Sequence, residues 1–180
     1  FVSLRHGLPQ ALLSGHASFS DTVAAAQSAL APPSLLIRPQ QREVVAAGKT
    51  IKLPPAELAL YCLFIRRCLR RQAPLAAPPK GATDESWAHD YLREYRAIVG
   101  PMGATDTTER TLSKGMDGDY FSTRKSKLHA ILTAALGPAA GPYLIHNTGT
   151  KNAGKYQLGL SAEFVRFDDG VVNVDQQGGR

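Results

Sequence analysis

An α+β fold is predicted for this 180-residue chain by three observations. Short β-prone runs cluster between residues 34 and 53. Helical stretches with clear start and stop signals then occupy most of residues 54–136. Finally, two more β-prone runs bracket the polar, glycine-rich stretch NTGTKNAG, the pattern of a hairpin with a long tip. A hydrophobic content of 43% with 20% charged residues belongs to a globular chain and not to a disordered one. The length suits one domain, or one domain with a small appendage.

The elements follow in order. Residues 15–33 predict a short helix, with Ser20 as N-cap, Asp21 in the first turn, and Pro32 and Pro33 as its stop. Val23, Gln27 and Leu30 mark one face, so residues 1–33 read as a helical connector from a preceding domain. Residues 35–37, 43–46 and 50–53 are β-prone and are separated by turn-forming residues, which predicts a small antiparallel meander. Residues 54–72 predict a strong helix. Pro54 and Pro55 suit its start, Glu57 suits its first turn, and Leu60, Leu63, Phe64 and Cys68 form an apolar stripe. Arg66, Arg67, Arg70 and Arg71 crowd its end. They could contact phosphate, but cations complement the dipole at a helix C-terminus, and that explanation is preferred.

Residues 73–85 are Pro/Gly-rich and read as a loop. Residues 83–100 predict a helix capped by Thr83 or Asp84 and stopped by Gly100. Trp87, Tyr91, Tyr95 and Ile98 share one face of it, the spacing of a core stripe and not of a base-stacking platform. One more short helix is expected within residues 105–115, and a longer one over residues 121–136, closed by Gly137 and Pro138. Residues 142–160 make the hairpin. Residues 163–174 predict another, turning at Asp169 and Gly170, and the last five residues are expected to fray.

The formal net charge of +6 points toward a polyanion, most often nucleic acid. Cys62 and Cys68 lie six residues apart in one predicted helix, about 9 Å along its axis, so they cannot pair and read as reduced thiols of a cytoplasmic protein. No apolar run reaches 18 residues, which excludes a membrane span, and no signal peptide is evident. The chain begins at Phe1 without an initiator methionine and reads as a fragment or processed product. His6, His16, His89 and His146 are scattered, no Cys/His/Asp cluster has metal-ligand spacing, and no nucleophile motif stands out. No catalytic residue, metal or cofactor is therefore expected.

Arg124, Lys125 and Lys127 fall in the first turns of the predicted 121–136 helix. A helix N-terminus carries about half a positive charge, and each cation placed there costs about 0.3–1 kcal/mol. A bound anion would explain them. The order meander, helix, inserted helix, short helix, basic helix, hairpin is that of a winged helix-turn-helix, here spanning residues 34–180 with an insertion at about 73–103. In that arrangement the second helix enters the major groove of DNA. Ser126, Ala130 and Thr133 would form its small, exposed face, with Leu128, Ile131, Leu132 and Ala135 turned to the core. Lys151 and Lys155 would sit on the wing. The candidate nucleic-acid-binding residues are thus Arg124, Lys125, Ser126, Lys127, Thr133, Lys151 and Lys155, with duplex DNA expected ahead of RNA.

Two motifs compete with this reading. GTKNAGKY, residues 149–156, fits a phosphate-binding loop through its Gly-Lys, but Tyr156 stands where Ser or Thr should hold magnesium, and the following YQLGL alternates like a strand. Arg124 and His129 fit the R-x4-H spacing of an all-helical ribonuclease superfamily, the HEPN domains, whereas this chain interleaves strands.

FVSLRHGLPQALLSGHASFSDTVAAAQSAL, followed by LPPAELALYCLF, resembles the C-terminal half of a family of type III CRISPR-associated proteins that carry an N-terminal CARF domain and are often labelled CRISPR ring nucleases. LLIRPQQREVVAAGKTIKLPPAELAL is similar to the start of winged-helix domains of the OmpR/PhoB type, from which residues 73–103 depart as an insertion. The resemblance implies a cytoplasmic antiviral-defence protein, expected as a homodimer, whose cyclic-oligoadenylate binding and any ring-nuclease activity belong to a domain before Phe1. It transfers no catalytic residue to this chain. DNA binding, a structural or dimerisation role, and a contribution to ribonuclease chemistry all remain open at this point.

Overall fold

The computed structural model describes residues 32–101 and 107–168, together with Ser20 and Val23, and these form a mixed α+β structure. Strands β1 (Leu35–Arg38), β2 (Glu43–Ala46) and β3 (Lys49–Lys52) build the expected meander. The first turn places Arg42 at φ 53°, and the second places Ala47 at 49° and Gly48 at 75°, the left-handed geometry of a tight hairpin. Helix α1 (Pro55–Leu69) follows, then β4 (Leu75–Ala76), α2 (Glu85–Val99), α3 (Thr107–Thr111) and α4 (Gly118–Leu136). Strands β5 (Ile145–Asn147), β6 (Lys155–Leu158) and β7 (Val165–Phe167) complete the order. Of the expected connector helix, Ser20 and Val23 are helical and exposed, and the rest of residues 1–31 lies outside the described residues.

The strands form two sheets, β3-β2-β1-β7 and β4-β6-β5. One expectation changes here, and one strand gains an additional partner. Residues 73–85 are not only a loop, because Leu75 and Ala76 pair with Tyr156 and Lys155 of the hairpin. Pro74, Pro78 and Pro79 hid this strand; a two-residue edge strand tolerates such flanks because few of its amides need a partner. Residues 165–167, the described strand of the second expected hairpin, pair with β1. They lie parallel to β1, Leu35 facing Val165 and Ile37 facing Phe167, and fill the hydrogen-bonding edge that the meander leaves open. The expected turn at Asp169 and Gly170 lies outside the described residues.

The inner face of the four-stranded sheet carries Leu35, Ile37, Val44, Ala46 and Ile51, all buried. Its outer face carries a row of alternating charge across all four strands. Lys52 Nζ lies 2.7 Å from the Glu43 carboxylate, Arg38 lies 3.2 Å from its other oxygen, and Arg38 Nε reaches Asp168 at 3.4 Å. Hydrogen bonds from Lys52 and then Arg38 hold the Glu43 carboxyl below its usual range.

Helix α1 is the centre of the molecule, with every residue from Glu57 to Ile65 buried. Asp84 caps α2 by accepting from the Trp87 amide at 2.9 Å. The stripe on α2 is buried as its spacing predicts, Trp87, Tyr91, Tyr95 and Ile98 all being 7% exposed or less. Buried Trp87, Tyr91 and Tyr61 each find a partner for their polar end. Trp87 Nε1–H donates to the Ala76 carbonyl at 2.9 Å, Tyr91 O–H to the Ala56 carbonyl at 2.9 Å, and Tyr61 O–H to the Tyr143 carbonyl at 2.6 Å. Two buried carboxylates tie α1 to its neighbours: Arg66 of α1 bonds Glu94 of α2 at 2.9 Å, and Arg124 of α4 bonds Glu57 of α1 at 2.8 Å. Cys62 is buried and Cys68 half-buried, and the two are not joined by a disulfide. No helix among the described residues is long and apolar enough to cross a membrane.

Candidate nucleic-acid interface

The start of α4 decides what its cations do. The Asp117 side chain accepts from the Tyr120 amide at 2.8 Å, and Asp119 follows in the first turn. The helix therefore begins at Gly118 and not at Phe121. This corrects the premise of three cations at a helix N-terminus: Arg124, Lys125 and Lys127 stand in the second and third turns, and the terminus is already matched by two acidic residues.

The cations differ in their engagements. Arg124 points inward, paired with Glu57 and lying 5.2 Å from the centroid of the Tyr120 ring. Lys125 is half-buried, its ammonium 5.1 Å from the centroid of Tyr156 on β6. Lys127 is exposed and forms no ion pair among the described residues. It shares the open surface of α4 with Ser122, Thr123, Ser126, Ala130 and Thr133, while Leu128 and Leu132 are buried and Ile131 and Ala135 are half-buried. The small exposed face expected from the sequence is thus present.

Helix and hairpin are locked together at the hairpin's base. The Phe121 ring packs edge-on against Tyr156, centroids 5.0 Å apart, and Phe121 in turn packs on Trp87 and Phe64. Farther along α4, His129 Nε2 accepts from the Ile145 amide at 3.1 Å at the start of β5. Burial, then the nearby charges of Lys125 and His146, lower the His129 pKa to about 4, which keeps the ring neutral as this acceptor role requires. The hairpin tip is itself ordered by side chains. Asn147 Oδ1 accepts from the amides of Gly149 at 2.9 Å and Lys155 at 3.2 Å, and Thr150 Oγ1 accepts from the Ala153 amide at 3.2 Å. Gly149 is required there, since a Cβ would lie 2.2 Å from the Ala153 carbonyl oxygen. Lys151 is exposed on this tip, and Lys155 is exposed at the start of β6 beside it.

The competing motifs resolve geometrically. GTKNAGKY runs through the hairpin tip into β6, so no helix follows its Gly-Lys and Tyr156 is spent on packing. Arg124 and His129 are each bonded to a different neighbour, Glu57 and Ile145. In the arginine cluster on α1, Arg66 bonds Glu94 and stacks 4.3 Å from the Phe167 ring centroid, and Arg67 donates to the Ala73 carbonyl at 2.8 Å. Sequence reasoning missed the organising roles of Glu57, Phe121 and Tyr156. Glu57 read as a first-turn acid, and Tyr156 was read only for what it failed to be. No family model, curated protein or solved structure matches this chain.

Proposed function

We propose that this chain is a winged-helix module that binds duplex DNA through α4 and the β5–β6 hairpin. The observation that carries the reading is the lock at Tyr156, where Phe121 and Lys125 of α4 meet the base of a hairpin whose tip is cationic. A rigid helix presented beside such a hairpin is the geometry by which a helix enters a major groove while a wing lies over the adjacent backbone. The strand order β4-β6-β5 supports it, because the strand after α1 fixes the hairpin's orientation to the helices. Small side chains on α4 permit close approach, and Lys127, Lys151 and Lys155 supply phosphate contacts. Arg124 leaves the contact list and becomes the tie between α4 and α1. In the CARF-containing family that the sequence resembles, the module would serve as the output half of a cytoplasmic homodimer whose preceding domain binds cyclic oligoadenylate.

A dimerisation module is the second reading, favoured by the same small face of α4, which could pack against a second copy. Titration of a labelled duplex at several salt concentrations separates the two. DNA binding predicts a negative slope of log K against log[salt] that falls by about 0.9 in magnitude for Lys127→Ala. A slope unchanged by that substitution overturns the assignment of α4. An absence of binding, with concentration-dependent dimerisation, selects the second reading.

A further inference from the structure

Between the last turn of α1 and the segment that follows β6 lies a cleft of about 420 Å³, within the size range of small-molecule sites. Phe64, Leu158 and Leu160 contribute apolar surface to it, Arg67 and Arg71 line the α1 side, and Ser161 and Glu163 line the other. The end of α1 is built in an unusual way. The Gln72 amide donates to the Arg67 carbonyl at 3.0 Å and the Arg71 amide to the Cys68 carbonyl at 2.9 Å, which is the Schellman ending of a helix. Its left-handed position normally belongs to glycine, yet Arg71 occupies it at φ 53°. A long side chain adopts that conformation only against steric resistance.

Arg71 lines the cleft in this conformation. Burial pushes the pKa of the half-buried Cys68 thiol up, and the charge of Arg71 partly opposes that rise. Arg67 is held by its bond to the Ala73 carbonyl, with the rest of its donors left over. Neither arginine forms an ion pair among the described residues, although Glu163 stands on the far wall. Two arginines on one side of a mostly polar cleft match a small ligand with one anionic head, and the carboxylate of Glu163 disfavours a second anionic group. We propose that this cleft binds a small organic anion, its carboxylate or phosphate head held by Arg67 and Arg71 and its body lying along the segment from Leu158 to Ser161.

The test uses benzoate, phenyl phosphate and inorganic phosphate as probes, with binding followed by calorimetry and by thermal unfolding. Benzoate or phenyl phosphate should bind saturably in the low millimolar range or below and raise the melting temperature; the tighter of the two identifies the head group. Arg71→Gly is the discriminating variant. It should melt higher than the parent by about 2–4 °C, because the strain is relieved, and should bind the organic probe at least tenfold more weakly. Arg70→Ala, exposed and outside the cleft, should bind as the parent does. The proposal is overturned if neither organic probe binds, if Arg71→Gly binds undiminished, or if inorganic phosphate binds as tightly as phenyl phosphate.

Discussion

Arg124 is tied to a buried acid of another helix. Its partner Glu57 is 3% exposed, so removing the guanidinium strands a buried carboxylate. Arg124→Ala should therefore destabilise the fold by about 3 kcal/mol, as broken buried ion pairs do, measured by urea unfolding; a change below about 0.5 kcal/mol would place the pair among solvent-screened surface contacts. His129 gives a pH signature. Its folded pKa is lowered to about 4 from the 6.5 of an ordinary histidine, so below pH 6.5 the unfolded chain takes up a proton that the folded chain refuses. Stability should be fully present above pH 6.5 and fall as pH drops toward 4, by at most about 1.4 kcal/mol per pH unit and less because the ring is partly solvated. His129→Gln keeps an acceptor for the Ile145 amide and removes this titration, so the stability gap between parent and variant should change across that window and stay constant above it. Parallel pH profiles for the two proteins would contradict the assignment.

At the scale of elements, α4 shows both the reach and the limit of sequence reading. Its amphipathic pattern was legible, and Leu128 and Leu132 are buried where the spacing puts them. Its beginning was not, because Asp117 acts as cap through a local bond to the Tyr120 amide that the apolar pattern does not encode. Asp117→Ala should cost about 0.5–2 kcal/mol, read as a lower denaturant midpoint at unchanged m-value, and an unaltered midpoint would argue against the cap. The meander, α1 and α2 were legible for the same reason as the core of α4, since punctuation and periodicity are written locally. Strand β4 was not, because Leu75 and Ala76 are a strand only by virtue of the edge that Tyr156 and Lys155 present to them. The candidate interface divides likewise: exposure of Lys127, Ser126 and Thr133 follows from helical phase, whereas the inward turn of Arg124 depends on Glu57 from another helix.

For the whole molecule, β7 closes the four-stranded sheet. Ending the chain before Val165 should remove the cover from β1 and the contacts of Phe167 with Arg66 and of Asp168 with Arg38. A lower melting temperature with concentration-dependent association is expected, measured by calorimetry and light scattering; a monomer of unchanged stability would show that β7 is dispensable. The pairing of β1 with β7 also orders events in time. A ribosome delivers β1 among the first described residues and Val165 among the last, so the meander and α1 can form while β1 still has a vacant side. Joining strands so far apart in sequence requires closing a loop that spans nearly the whole described chain, a slow step compared with the local hairpin. From the emergence of β1 until that of β7 the nascent chain thus carries an open strand edge, and any unpaired strand nearby, including the same strand on a neighbouring ribosome, competes for that edge until Val165–Phe167 emerges.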